Sequence, residues 1–152
     1  MSTHVRPAQT GDLTALCELS VAYRVFLGRP PQPELTRAFL RERLARGDAV
    51  LLVAFSADEM AGFAQMFPSF SSAHLGRIWR LDDLFVAPHA RKRGIGRALL
   101  SACIEQARAG GATGLRLETQ GTNTVAQALL VEQGWEPDEE TCLYHYPLEP
   151  TP

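Results

Sequence analysis

The chain has 152 residues, 45% hydrophobic and 21% charged, a balance that suits one globular domain with a full core and excludes disordered, collagen-like and coiled-coil chains. Fifteen basic against seventeen acidic residues leave a net charge of −2, so no attraction of the whole chain to nucleic acid or to an anionic membrane is expected. The longest apolar run, residues 49–55, is far short of the roughly 20 residues that a membrane span needs. The N-terminal residues 1–7 carry no signal-like apolar segment, and Cys17, Cys103 and Cys142 show no CxxC spacing, so a cytoplasmic protein with reduced thiols is expected.

Val5 lies in a short extended start. Asp12 is placed to cap a helix whose apolar positions Leu13, Leu16, Tyr23 and Leu27 follow three-four spacing, and Gly28 ends it. Three prolines in the four residues 30–33 leave only a stiff turn. Glu34 to Arg46 then makes a second helix, with Leu35, Phe39, Leu40 and Leu44, stopped by Gly47. Val50 to Phe55 and Met60 to Phe67 read as the two arms of a hairpin around the polar turn Ser56 to Glu59. Residues 68–74 read as a loop and Ile78 to Val86 as a third strand. Gly94 to Ala109 is the strongest helix, with Ile95, Leu99, Ala102 and Cys103 on one face and Gly110-Gly111 behind it. Leu115 to Thr119 alternates as a half-buried strand does. Asn123 caps a last helix, with Ala126, Leu129 and Leu130 inward and Gly134 at its end, and Thr141 to Leu148 is expected to be a final strand. The sum is a single-domain α/β chain, a mixed sheet covered by helices.

The segment with chemistry in it is residues 84–100, where a strand ends, a basic loop follows and two glycines open a helix. Arg91, Lys92, Arg93 and Arg97 surround Gly94 and Gly96. The first N–H groups of a helix have no internal partner and sit at the positive end of its dipole, glycines let an anion approach them, and arginines add charge-assisted bonds. This is a cradle for a phosphate or pyrophosphate; the competing reading is a plain turn with a solvated basic face. No GxxxxGK[ST] is present, and a GxGxxG fingerprint would need glycine where Leu99 stands.

Arg91-x-x-Gly94-x-Gly96 after a strand ending Leu84-Phe-Val-Ala-Pro88 resembles the acyl-CoA signature of the GCN5-related N-acetyltransferases (GNAT). The block Asn123-x-x-Ala126-x-x-Leu129, ending Gly134-Trp135, is similar to that family as well. The resemblance implies a mostly antiparallel central sheet flanked by helices, and acetyl-CoA as co-substrate without a metal. It implies that the main chain of Leu84, Phe85 and Val86 pairs with the pantetheine arm. Arg91, Lys92, Arg93, Gly94, Ile95, Gly96 and Arg97 would then hold the pyrophosphate, and Asn123 would sit near the arm. Many relatives have a tyrosine where this chain has Leu130, which removes the usual general acid.

For the acetyl transfer so implied, a base must take the proton of the amine. Asp82 and Asp83 lie next to the cradle, and strict alternation would send them to opposite faces, so that one at most serves. A salt bridge to Arg80 is the competing reading. Tyr144 and Tyr146 are candidates for a replacement acid, and Tyr23 for the acceptor pocket, with packing as the alternative for each. The expected reaction is direct transfer from acetyl-CoA to a primary amine of a small molecule or protein. A non-catalytic acyl-CoA sensor is the alternative. Nucleic-acid and membrane partners are not expected, and an exposed last strand would offer a surface for a homodimer.

Overall fold

The computed structural model describes residues 2–148, which fall into two compact units divided between Glu118 and Thr119. In the first, β1 (Thr3–Pro7), α1 (Leu13–Phe26), α2 (Pro33–Arg46), β2 (Val50–Ser56), β3 (Glu59–Ser71), β4 (Gly76–Val86), α3 (Ile95–Ala109) and β5 (Gly114–Leu117) follow in order. The five strands form one sheet in sequence order, antiparallel except for the parallel pair β4–β5. That parallel pair requires a crossover, and α3 is the crossover. The mixed sheet is therefore the one expected.

The two faces of the sheet can be told apart at neighbouring residues of β3. Phe63 meets the ring of Tyr23 on α1 edge-on at 6.0 Å. Gly62, pointing the other way, lies under α3: a Cβ built there would come within 2.8 Å of the Phe85 carbonyl and 3.2 Å of the Leu99 side chain. Side chains alternate along a strand, so α1 and α3 cover opposite faces. On the α1 side Leu13, Leu16, Leu40, Leu51, Val53, Phe63 and Phe85 make a core cluster. On the α3 side Ile95, Leu99, Leu100 and Cys103 are fully buried.

Three expectations are corrected. Asp12 does not cap α1 through its side chain; its carboxylate accepts two bonds from Arg6, at 2.7 and 2.9 Å, and one from the Gln9 N–H, because a guanidinium fork is the stronger partner. Residues 68–71 are not loop but the end of β3, with Pro68 opposite Trp79. Pairing with β2 stops at Met66, so the far edge there needs no donor, and a proline is tolerated on such an edge.

In the second unit α4 (Thr124–Glu132) forms as expected: the Asn123 side chain accepts from the Ala126 N–H at 3.2 Å, and Gly134 follows at φ 93°. The third correction lies beyond it. Residues 141–148 have no regular structure, and Leu143, Tyr144 and Tyr146 stand exposed. Alternation says which side chains would share a face; it does not supply the hydrogen-bonded neighbour that makes a strand.

Candidate functional site

The site begins with one extra residue. Gln65 pairs with Asp83 and Met66 with Leu81, which leaves Asp82 as a bulge in β4. Bulges bend a strand and increase its twist. The parallel ladder to β5 ends at the same level, with Leu81 opposite Leu117. From Asp82 to Val86, β4 therefore runs on with no strand beside it on that edge among the described residues. The phase of the ladder follows from the Ala87 N–H, which donates to the Ala61 carbonyl at 2.8 Å. Residues 83, 85 and 87 turn their main-chain groups toward β3, whereas Leu84 and Val86 turn theirs to the open edge. Of the three expected main-chain partners, Leu84 and Val86 thus face outward and Phe85 is engaged within the sheet.

The bulge also overturns the expected separation of the two carboxylates. Arg80 lies on the α1 face, its guanidinium 5.9 Å from the ring of Phe67 directly opposite. Asp82 accepts from that guanidinium at 2.7 and 3.2 Å, and Asp83 accepts from Gln65 Nε2 at 2.6 Å. The hydroxyl of Tyr23 donates to the Asp82 carbonyl at 3.4 Å. Burial first, then the charges of Asp83 and Asp82, push that phenol up to about 12. Both acids therefore act on the same side of the sheet, because two successive residues of a bulge stand where a regular strand has one. For Asp82 the salt-bridge reading is realised. Among the described residues Asp83 has no cation partner: burial raises its carboxyl to about 6, the bond from Gln65 works against that rise, and the Asp82 charge adds to it.

At the end of β4 the basic loop turns through Lys92 at φ 64° and Gly94 at φ 81°, and Gly94 precedes the first turn of α3. The left-handed φ at residue 94 is the reason for a glycine there. Ile95 is 1% exposed and fixes this turn to the core, so at residue 95 only the main chain is available to an anion. Arg93 and Arg97 are exposed around the turn. Arg91 does something the sequence did not suggest. Its Nε donates to the Val86 carbonyl at 3.0 Å, and its guanidinium lies 5.3 Å from the Phe26 ring and 5.5 Å from that of Phe85. It ties the loop to the strand end, with its charge spread over two aromatic faces.

Two candidates lie in the second unit. The Asn123 side chain is engaged as the cap of α4, and Tyr144 is 90% exposed in the irregular segment. Among the described residues no group of three or more His, Cys, Asp or Glu side chains could hold a metal, and no helix is long and apolar enough to cross a membrane. Gln65 was missed. It is 3% exposed, and an amide inside the apolar run Met60 to Phe67 was the available signal, since a buried polar group needs a partner.

The pattern of the acetyltransferase (GNAT) family matches residues 13–135. An uncharacterized N-acetyltransferase of Bacillus subtilis, YhfO, is 40% identical over 143 residues, 94% of this chain and 95% of its own. An aminoglycoside N(6')-acetyltransferase of Klebsiella aerogenes is 30% identical over 150 residues, covering 95% of this chain and 96% of its own. Among solved structures, that of a probable acetyltransferase superposes with a TM-score of 0.88 at 35% identity, covering 99% of this chain and 100% of its own.

Proposed function

Because the chain belongs to the acetyltransferase (GNAT) family, we propose that it transfers the acetyl group of acetyl-CoA to a primary amine by direct attack in a ternary complex. The observation that carries this reading is the open edge of β4 leading straight into the basic turn before α3. The outward main-chain groups of Leu84 and the N–H of Val86 would take the amides of the pantetheine arm as an added strand would. The N–H groups from Lys92 to Arg97 would take the pyrophosphate, with Lys92, Arg93 and Arg97 adding charge. Arg91 holds the two segments in register.

The amine must lose a proton as it attacks. Asp83 is the base in this proposal: with its carboxyl at about 6 it is mostly ionised at pH 7, yet basic enough to accept a proton. Asp82, engaged by Arg80, gives the entrance a negative carbonyl-and-carboxylate lining that suits a cationic acceptor. The aminoglycoside relative is consistent with such an acceptor. The oxygen of the tetrahedral intermediate would be met by an outward N–H of β4. A thiol of pKa about 8.5 leaves without a strong acid, so neither Tyr144 nor a residue at position 130 is required to donate.

The test has two readouts. Acetyl-CoA at about 100 times its Kd adds about 2.7 kcal/mol to the folded state, a rise in Tm of roughly 5–10 °C for a chain of this size; Gly96→Leu, which fills the turn, removes that rise. Thiol release is then measured with kanamycin, spermidine, free lysine and a lysine-containing peptide. Release with at least one amine, falling about 100-fold or more in Asp83→Asn, supports the proposal. A Tm shift without any release identifies a sensor, and no shift removes the coenzyme site altogether.

A further inference from the structure

Resting on the reading of Asp83 as base, we propose that Gln65 is its positioning residue: the side-chain amide donates to the Asp83 carboxylate before transfer, and rotates to accept from the Asp83 acid once the amine's proton has arrived. Gln65 sits on β3 directly opposite Asp83, with Nε2 2.6 Å from Oδ2. Its other end is the telling one. Oε1 is buried and has no hydrogen-bond partner among the described residues, on a side chain that is itself almost wholly buried. Such an orphaned acceptor is rare, because water is lost and nothing replaces it. A half-turn about the last side-chain bond exchanges the two ends of the amide at little change in shape.

In the reaction the amine nitrogen forms its bond to the acetyl carbon and gives up one proton, the carbon–sulfur bond breaks, and the electron pair leaves on the thiolate. The proton goes to Asp83, which becomes neutral and is now a donor. An Nε2–H facing that acid would be matched to the wrong partner. Oε1, unpartnered until then, is the acceptor it needs. Arginine or lysine at position 65 would lock Asp83 ionised, and leucine would leave it neutral; an amide serves both states. The other groups facing Asp83 are fixed. Asp82 is held in an ion pair by Arg80 on the same strand, Glu118 acts on that arginine, and Tyr23 on α1 keeps its proton across the working range.

Gln65→Met preserves the length of the side chain and removes both ends of the amide. Two quantities are read in parallel: the acid limb of kcat/KM with the best amine of the panel above, and the titration of the Asp83 carboxyl carbon by NMR in coenzyme-free protein. Both are expected to move up by about one to two pH units, since the lost bond stabilised the charged form. The value of kcat/KM at pH 7 then falls about two- to tenfold, with KM for acetyl-CoA unchanged. Gln65→Glu, close in volume, keeps the test alive if the methionine variant does not fold; it has no donor while ionised, and both readouts again move up. A lower Tm with the titration of Asp83 unmoved would make Gln65 a packing residue and overturn the inference. If Asp83→Asn is fully active, the base itself is wrong and the inference falls with it. If Asp83→Asn is inactive but neither Gln65 variant shifts the limb, this inference alone fails.

Discussion

Asp83 sits where ionisation is disfavoured, and the protein bears that as lost stability. Its folded carboxyl titrates at about 6, against about 3.9 in an unfolded chain. Between those values the folded state holds a proton that the unfolded state has released, so stability falls as pH rises from about 4 to 6 and then levels off. The loss is on the order of 2–3 kcal/mol by pH 7. Asp83→Asn is therefore expected to be more stable than the parent at pH 7–8, with a flatter slope between pH 4 and 6, in denaturant titrations across that range. An equal or lower stability at pH 8 would mean that the carboxylate is better solvated than its burial indicates. With Asp83 as the proposed base, that gain in stability is expected to accompany a loss of turnover. At this scale the sequence was legible in kind more than in direction. Asp82 and Asp83 were visible as costly residues in an apolar strand, but strict alternation split them, because a bulge is made by pairing across strands and leaves no mark in a single strand. Arg91 was visible as a cation, whereas its bond to Val86 depends on the short helical turn Pro88–Ala90 between them, which no periodicity encodes.

Among the elements, α3 was the plainest in the sequence: an apolar stripe through Ile95, Leu99 and Cys103, with glycines at both ends. What holds it to the sheet is less obvious. Gly62 lies under its first turns, where a Cβ would sit 2.8 Å from a main-chain oxygen that cannot yield and 3.2 Å from Leu99. Gly62→Ala is expected to lift α3 and destabilise by about 1–3 kcal/mol, a fall in Tm of roughly 3–10 °C, together with a weakened response to acetyl-CoA because α3 carries the turn proposed to hold the pyrophosphate. An unchanged Tm in differential scanning calorimetry would show that the helix packs elsewhere. The elements that were misjudged lie where pairing outweighs composition. β3 runs through Pro68 because only one of its edges is in use, and residues 141–148 alternate well but take no regular structure. The short polar signals, Gly28, Gly47 and the Asn123 cap, all marked their boundaries.

For the whole molecule, the order of strands and helices through α4 and the mixed sheet could be anticipated, since a strand followed by a helix and a second strand calls for a crossover, whereas the strand expected at 141–148 did not form. Where the sheet stops being continuous could not be anticipated. The basic turn and the acids at the bulge sit at the two ends of the same stretch of β4, which gives a chain of net charge −2 one end suited to an anion and another suited to a cation. Local arrangement, and not overall charge, thus sets what each end attracts. Asp82 is the hinge of this arrangement. Removing that one residue would leave every following side chain on its present face, since Leu81 and Asp83 already stand on opposite sides, and β4 would become an ordinary ladder. Nothing would then keep β5 from zipping onward alongside it. Such a deletion is expected to melt no lower than the parent while losing its thermal response to acetyl-CoA, a sturdier protein with its slot sewn shut. The proposed coenzyme cleft, seen this way, is a fault in the weave, held open by a single surplus amino acid.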